Sequence, residues 1–374
     1  MTALRHIMMT ADAVGGVWVY ATTLARRLAA LGTRVTLVTL GPPPRQDKYE
    51  AARALPFEVE LIVTDLELEW LDPEGRDAER ARHQLRRIAD RARPDLVHLN
   101  GFREGAIGWP CPSLVVAHSC VTSWWQATKR ERPPEPRWHA YAEAVAEGLN
   151  AADAWAAPTR AFRATIEQLY QPETSGWVIP NGIDLPPPSD ADKDAVILAS
   201  GRVWDSAKNL TALANIARDL PWPVHIAGAG EVEIAECANV HWLGEISRAE
   251  LLRRMQRAGI YAAPALYEPF GLGILEAAAA GCALVLSDIA SLRELWDGAA
   301  VHVPADDPER LGQALRELCG DVRRRGRLQR AAAARARRYS LDRTVAGYLK
   351  LYESVLAPRA SRAPRPTIGS EVRA

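Results

Sequence analysis

The sequence predicts an α/β protein built as two parallel-sheet halves facing each other across a cleft. Three observations lead there. Short apolar runs alternate with stretches of helical spacing from residue 5 onward. That alternation is interrupted by Pro186-Pro-Pro188 and the acidic stretch Ser189 to Asp194, and it restarts at Ala195. A chain of 374 residues also has the length of about two domains.

Composition narrows the class further. The chain carries 46 basic and 46 acidic residues, so no global field draws it to nucleic acid or to an anionic membrane. Hydrophobic content of 48% with 25% charged residues is ordinary for a globular protein. The five cysteines, Cys111, Cys120, Cys237, Cys282 and Cys319, are scattered and lack any C-x-x-C spacing. Neither a disulfide framework nor a zinc site is indicated, and a reduced, cytoplasmic setting fits best. No secretory signal pattern or membrane-spanning run is legible.

Taken in order, residues 5–10 read as a first strand, and Thr10-Ala-Asp-Ala-Val-Gly-Gly16 as a loop. Val17, Tyr20, Ala21, Leu24, Leu28 and Leu31 then keep helical spacing, and Arg34 to Leu40 is the next strand. Gly15 and Gly16 thus end the first strand of a βαβ unit, where open α/β sheets bind ligands, although a tight turn uses the same residues. They lack the third glycine of a dinucleotide fingerprint. Glu58 to Thr64 is a strand, and residues 78–92 form a charged helix. Asp95-Leu-Val-His-Leu-Asn100 and Ser113-Leu-Val-Val-Ala-His-Ser119 are strands ending in polar Asn100 and His118. A lone histidine at a strand end is more often structural than catalytic. Residues 121–140, with Trp124, Trp125, Lys129, Arg130, Arg132 and Trp138, read as an irregular insertion. A solvated loop held down by its tryptophans is favoured there over an acceptor-binding lip or a peripheral contact with a membrane surface. Helices near 139–150 and 160–170 flank a short strand at Ala154 to Ala157.

The second half begins with a strand at Ala195 to Ser200 and a helix over 207–219. Strands at Pro223 to Ala227 and Val240 to Leu243 and a helix over 247–257 follow. Helices are expected at 307–319, 321–338 and 340–356, and a disordered tail at 358–374. Gly228-Ala-Gly230 continues into Glu231-Val-Glu233 without a third glycine, which argues against a nicotinamide dinucleotide site. Asp190-Ala-Asp192 resembles a metal-binding pair only superficially, since no strand delivers it.

Two segments carry the chemistry. Arg202 follows a strand and Lys208 opens the next helix, so a guanidinium fork and an ammonium can converge on one phosphate. Glu268-Pro-Phe-Gly-Leu-Gly-Ile-Leu-Glu276 reads as strand, glycine loop and helix N-terminus, whose free amides suit phosphate or hydroxyl oxygens. Two carboxylates flanking an anion cradle fit a nucleotide sugar.

Together, Gly15-Gly16, His118, Pro180-Asn-Gly-Ile-Asp184, Gly201-Arg202, Lys208-Asn209 and the Glu268–Glu276 block resemble the retaining GT-B glycosyltransferases of family 4. The resemblance covers about residues 5–356 and implies two Rossmann-like domains. Its expected segments are an acceptor-side domain at 1–178, a hinge at 179–194, a donor-binding domain at 195–339, and a helix at 340–357 returning to the first domain. It implies that Arg202 and Lys208 hold the donor diphosphate, aided by the amides of Gly16 and of Phe270, Gly271 and Leu272, with Gly15 beside them. Glu276 would take the ribose hydroxyls, Glu268 the donor sugar, and His118 would approach the sugar near its reacting face. The implied co-substrate is a nucleotide-diphosphate sugar, with no metal and no other cofactor. The acceptor is an unidentified glycan, lipid or small molecule, and the oligomeric state is left open. Where family members often have an acidic residue after the histidine, this chain has Ser119. A sugar-nucleotide epimerase, a phosphorylase and a non-catalytic nucleotide-sugar-binding protein are the competing readings.

Overall fold

The computed structural model describes residues 4–134, 136–186, 192–230 and 238–357. Most of the expected hinge centre, the acidic Glu231-Val-Glu233 and the expected tail lie outside them. The chain divides into two compact units, one of Met1–Gln126, Glu131–Pro180 and Asp342–Ala374, the other of Ala127–Arg130 and Asn181–Leu341.

In the first unit the strands are β1 (His6–Asp12), β2 (Arg34–Leu40), β3 (Val59–Val63), β4 (Leu96–Leu99), β5 (Ser113–Val116), β6 (Ala154–Ala157) and β7 (Trp177–Val178). All pairings are parallel, in the order β3-β2-β1-β4-β5-β6-β7. The helices are α1 (Gly16–Ala30), α2 (Gln46–Arg53), α3 (Ala78–Ala92), α4 (Val121–Lys129), α5 (Arg137–Ala151) and α6 (Arg160–Tyr170). Ile7, Met8 and Met9 are fully buried in succession, as expected of a strand covered on both faces. Strand order reverses between β1 and β4, which places the end of β1 beside Asn100.

The expectation of an irregular segment at 121–140 is corrected. Residues 121–129 are helix α4, and α5 begins at Arg137. Pro133, Pro134 and Pro136, which lie between α4 and the start of α5, hid the short helix that precedes them. Trp124 meets Trp125 edge-on, Trp125 packs against Trp138, and Trp138 meets Tyr141 edge-on. All three indoles are half-buried.

The second unit contains β8 (Asp194–Ser200), α7 (Leu210–Ile216), β9 (Val224–Ala227), β10 (Val240–Gly244), α8 (Arg248–Arg257), β11 (Ala258–Ala263), α9 (Leu272–Ala279), β12 (Ala283–Ser287), α10 (Ala290–Trp296), β13 (Ala300–Val303), α11 (Pro308–Gly320) and α12 (Val322–Ala336). Its parallel order is β10-β9-β8-β11-β12-β13. Side chains alternate across this sheet. Leu198, Tyr261, Leu284 and Leu286 pack with α9, α10 and α12, while Ile197, Ile260 and Val285 pack with α7 and α11. Lys193 donates from Nζ to the carbonyls of Gln256 (2.7 Å) and Ala280 (2.6 Å), closing the C-terminal ends of α8 and α9 with a cation.

The last helix, α13 (Leu341–Leu356), belongs to the first unit beyond its first residue. Its Tyr352 hydroxyl lies 2.7 Å from His98 Nδ1, and Tyr348 packs edge-on against Tyr20 of α1. Thr344 hydrogen-bonds the Pro180 carbonyl at 2.8 Å.

Candidate functional site

In the second unit the strand order reverses between β8 and β11, and the charged residues collect at the carboxyl ends of those two strands. After β8 the chain does not enter a helix directly. Ser206–Lys208 form a 3₁₀ turn, Asn209 adopts a left-handed conformation (φ 51°), and α7 starts at Leu210. Lys208 therefore closes a turn instead of opening a helix. Asn209 accounts for the break, because its amide donates to Pro264 O (3.0 Å) and Ala305 O (3.2 Å). Those bonds hold the turn against the end of β11, and Leu266 N adds a bond to Ala207 O at 2.8 Å. Glu268 is thereby carried to Lys208: Nζ and Oε2 are 2.6 Å apart, with both side chains largely buried.

Arg202 is held by a residue the sequence reading passed over. Its Nη2 donates to Asp205 Oδ2 at 2.6 Å, and Asp205 is 3% exposed and also accepts from Ala207 N at 3.0 Å. The Arg202 guanidinium lies 5.2 Å from the centre of the exposed Trp204 ring. The spacing Arg-x-x-Asp was legible but carried no signal, since i,i+3 pairs of opposite charge are common on surfaces. The stem of Lys208 runs over Gly201, where a Cβ would come within 3.0 Å of its Cγ. Gly228-Ala-Gly230 serves packing here: a Cβ on Gly228 would stand 1.7 Å from Gly201 O.

Gly271 takes φ 85° at the start of α9. Glycine reaches that angle without strain, and a Cβ would press on Ile274 Cδ1 at 2.8 Å. The first bond into the helix is Leu275 N to Gly271 O, so the amides of Leu272, Gly273 and Ile274 lack intrahelical acceptors. Phe270 is 4% exposed and packs edge-on against Tyr339, so only its backbone is available to a ligand. Ser291 Oγ donates to Glu268 O at 2.5 Å and fixes the loop entrance.

Glu276 sits past the first turn of α9 and is 8% exposed. The sequence reading gave it no protein partner, yet Arg248 donates to its Oε1 from Nε (3.1 Å) and Nη2 (2.5 Å). Arg248 opens α8, one helix earlier, and only the tertiary fold brings the two together.

The first unit has its own cluster. Asp12 Oδ1 accepts from Val14 N (2.9 Å) and Gly15 N (3.1 Å), and Gly15 and Gly16 lead into α1. Asn100 Nδ2 donates to Thr10 O (2.6 Å), which turns Oδ1 toward His118 Nε2 at 2.8 Å. That oxygen only accepts, so Nε2 carries the proton and Nδ1 is left as the acceptor of a neutral ring. Burial pulls the His118 imidazole down to about 3. His98, fully buried between Tyr352 and Tyr20, is likewise lowered to about 3 by burial first and by its neighbour His118 second. Among the described residues no group of three His, Cys, Asp or Glu is arranged to hold a metal ion.

Two parallel α/β sheets of this kind, the second with its cations and carboxylates gathered where strand order reverses, define a glycosyltransferase of the GT-B fold. The chain belongs to glycosyltransferase family 4: the description "Glycosyltransferase Family 4" matches residues 14–186 and "Glycosyl transferases group 1" matches residues 194–321. It is 28% identical over 406 aligned residues to a D-inositol 3-phosphate glycosyltransferase of Xylanimonas cellulosilytica, covering 94% of each chain. Among solved structures it is similar to a sucrose-phosphate synthase of Thermosynechococcus elongatus, with TM-score 0.77 and 18% identity, over 94% of this chain and 99% of the other. It also resembles Anabaena Alr3699/HepE in complex with UDP-glucose, with TM-score 0.72 and 15% identity, over 94% of this chain and 100% of that one. Among the described residues no helix is long and apolar enough to cross a membrane.

Proposed function

We propose that this enzyme moves a hexosyl unit from a nucleotide-diphosphate sugar to a hydroxyl of a glycan, lipid-linked or small-molecule acceptor, with retention at the anomeric carbon and without a metal ion. The observation that carries the reading is the pairing of Lys208 with Glu268 beside Arg202 and the unpaired first-turn amides of α9. A diphosphate needs cations and amides, and a sugar needs a fixed acceptor group. This cluster offers both within one unit. The structural neighbour in complex with UDP-glucose supports a donor of this class.

In the proposed reaction the donor diphosphate draws the Lys208 ammonium away from Glu268, which frees the carboxylate for sugar hydroxyls. Arg202, held by Asp205, presents its remaining N–H groups to the same phosphates. The bond from the anomeric carbon to the leaving phosphate oxygen breaks. The acceptor oxygen bonds to that carbon from the same face and gives its proton to the departing phosphate oxygen. Lys208, Arg202 and the α9 amides stabilise the charge left on the diphosphate, each well-placed donor contributing roughly 3–4 kcal/mol. Glu276 takes the ribose hydroxyls with its orientation set by Arg248. Within the first unit His118 stays neutral and leaves Nδ1 as an acceptor suited to a hydroxyl.

A thermal-shift panel of nucleotide sugars, followed by turnover of the best stabiliser with and without chelator, tests this reading. The expected result is stabilisation by one donor and turnover insensitive to chelation. Inversion at the anomeric carbon, or turnover that vanishes with chelator, would contradict it.

A further inference from the structure

Trp18, Trp155 and Trp296 are 5% exposed or less and serve the core, whereas Trp204 is 57% exposed. An indole left in water contributes little to packing. The backbone that carries it is nonetheless fixed. In the loop after β8, Gly201 N donates to Ala227 O (3.0 Å) and Val203 N to Ala229 O (2.9 Å), and Asp205 N closes a turn onto Arg202 O at 3.1 Å. A Cβ on Gly230 would stand 3.2 Å from Trp204 N and 3.4 Å from its Cδ1, so the loop after β9 lies against one edge of the residue.

What the ring touches is Arg202. The guanidinium lies over the indole face, 5.2 Å from its centre, while Nη2 donates to Asp205 Oδ2 at 2.6 Å. A single hydrogen bond runs along one N–H and leaves the planar group free to turn about it. A ring against the face removes that turn. Asp205 and Trp204 therefore grip the same cation in different ways, one at an edge and one at a face. Arg202 Nε is buried without a hydrogen-bond partner among the described residues, while the side chain as a whole is 39% exposed. The N–H groups left for a ligand are thus those of the two terminal nitrogens.

We propose that Trp204 is a positioning residue for the diphosphate site: its indole sets the plane of the Arg202 guanidinium and so aims the two terminal nitrogens at one phosphate group. The assignment rests on the donor reading above. It makes a distinctive demand, because the indole acts only through the arginine. A lysine at position 202 would carry the charge but has no plane to set, so the effect of the ring should disappear with the guanidinium. An indole that stacked on the base or sugar of a donor would touch the ligand itself and would not need the arginine.

Calorimetric titration of the full chain with inorganic pyrophosphate, a diphosphate with neither base nor sugar, tests the proposal. Trp204→Leu is expected to weaken pyrophosphate binding about fivefold, and Trp204→Phe to restore most of the loss. Neither variant is expected to change the thermal melt appreciably, since the ring is exposed. In an Arg202→Lys background, Trp204→Leu is expected to change the affinity by less than about twofold. Unchanged affinity in Trp204→Leu, an equal loss in both backgrounds, or a loss that phenylalanine does not restore would overturn the assignment. Absence of pyrophosphate binding by the wild type would count against the donor reading and take this assignment with it. Wild-type binding that is indifferent to Trp204 would overturn this assignment alone.

Discussion

Where strand order reverses, the second sheet presents Arg202, Lys208 and Glu268, each charged and each in an ion pair, whereas the first presents Thr10, Asn100 and His118, none of them charged. The same topology thus carries two kinds of chemistry. In the second unit, counter-charges within the protein hold the cations in place. Burial in the first unit keeps two imidazoles neutral and fixes one tautomer through an amide. An anion can be gripped by the former, while the latter can only orient hydroxyls. Substitutions in the two places should therefore fail in different ways.

The largest effect is expected at Lys208. Lys208→Ala removes the cation proposed to face the leaving group and is expected to lower kcat by about 10²–10³-fold, corresponding to roughly 3–4 kcal/mol, with the fold intact. Steady-state turnover together with a thermal melt checks both halves of that statement. Activity near the wild-type level would break the comparison, because the second sheet's charges would then be structural.

Asp205 comes next. Removing its carboxylate frees Arg202 and leaves the 3₁₀ turn uncapped. Asp205→Ala is expected to lose about 1–2 kcal/mol of stability from the cap and roughly tenfold in kcat/KM. Asp205→Asn keeps an acceptor for Ala207 N, so it should recover most of the stability and little of the activity. Denaturant unfolding and kinetics on the same two variants separate these roles, and equal recovery of both would remove Asp205 as a positioning residue for Arg202.

Much of this architecture was legible in the sequence, and the failures share a cause. Strands such as Arg34 to Leu40 and helices such as 78–92 were readable because burial imposes a period on local sequence. Arg202, Lys208 and Glu268 could be singled out as charged residues in the loops after β8 and β11, because residue type and position after a strand survive in one dimension. Asp205, Arg248 and His98 were not identified. Their significance lies in a partner or a burial that only packing creates: Arg248 is 28 residues from Glu276, and His98 lies 254 residues from Tyr352. The helix expected over 207–219 broke at Asn209 for the same reason, since its amide answers to carbonyls of distant segments.

In the first unit the comparison is sharpened by pH. His98 has an ordinary value of 6.5 and a folded value of about 3, so below 6.5 the unfolded chain binds a proton that the folded chain refuses. Its contribution to stability is present above 6.5 and is lost as pH falls toward 3, at up to about 1.4 kcal/mol per pH unit. His118 has the same sign, and Glu69, raised by burial to about 7, has the opposite sign between 4.5 and 7. Comparing His98→Phe with the wild type cancels those two contributions. The variant is expected to melt at a lower temperature near pH 7.5, having lost the Tyr352 bond, and to fall less than the wild type on going to about pH 5. Parallel melting curves in the two proteins would mean that His98 is not the neutral buried group the geometry describes.

The smallest effect is expected at Arg248, and it is the most specific. The guanidinium is itself about half exposed (48%) and holds Oε1 of Glu276 from two nitrogens, so its loss leaves a carboxylate that is 8% exposed without this partner, at some cost in stability. Glu276 would still be present but free to rotate, and the ribose contact proposed for it would weaken without vanishing. Arg248→Ala is therefore expected to raise the donor KM by roughly fivefold, about 1 kcal/mol, with kcat nearly unchanged, because the diphosphate grip proposed for Arg202 and Lys208 is untouched. A 2′-deoxyribose donor gives the sharper readout. Where Glu276 binds the ribose 2′-hydroxyl, the wild type discriminates against the deoxy donor, and Arg248→Ala should discriminate less. Arg248→Lys restores the charge without the two-nitrogen grip and should behave like the alanine variant if geometry matters. Discrimination unchanged in both variants would return Glu276 to a purely structural ion pair and confine the donor contacts of this unit to the phosphate and the sugar.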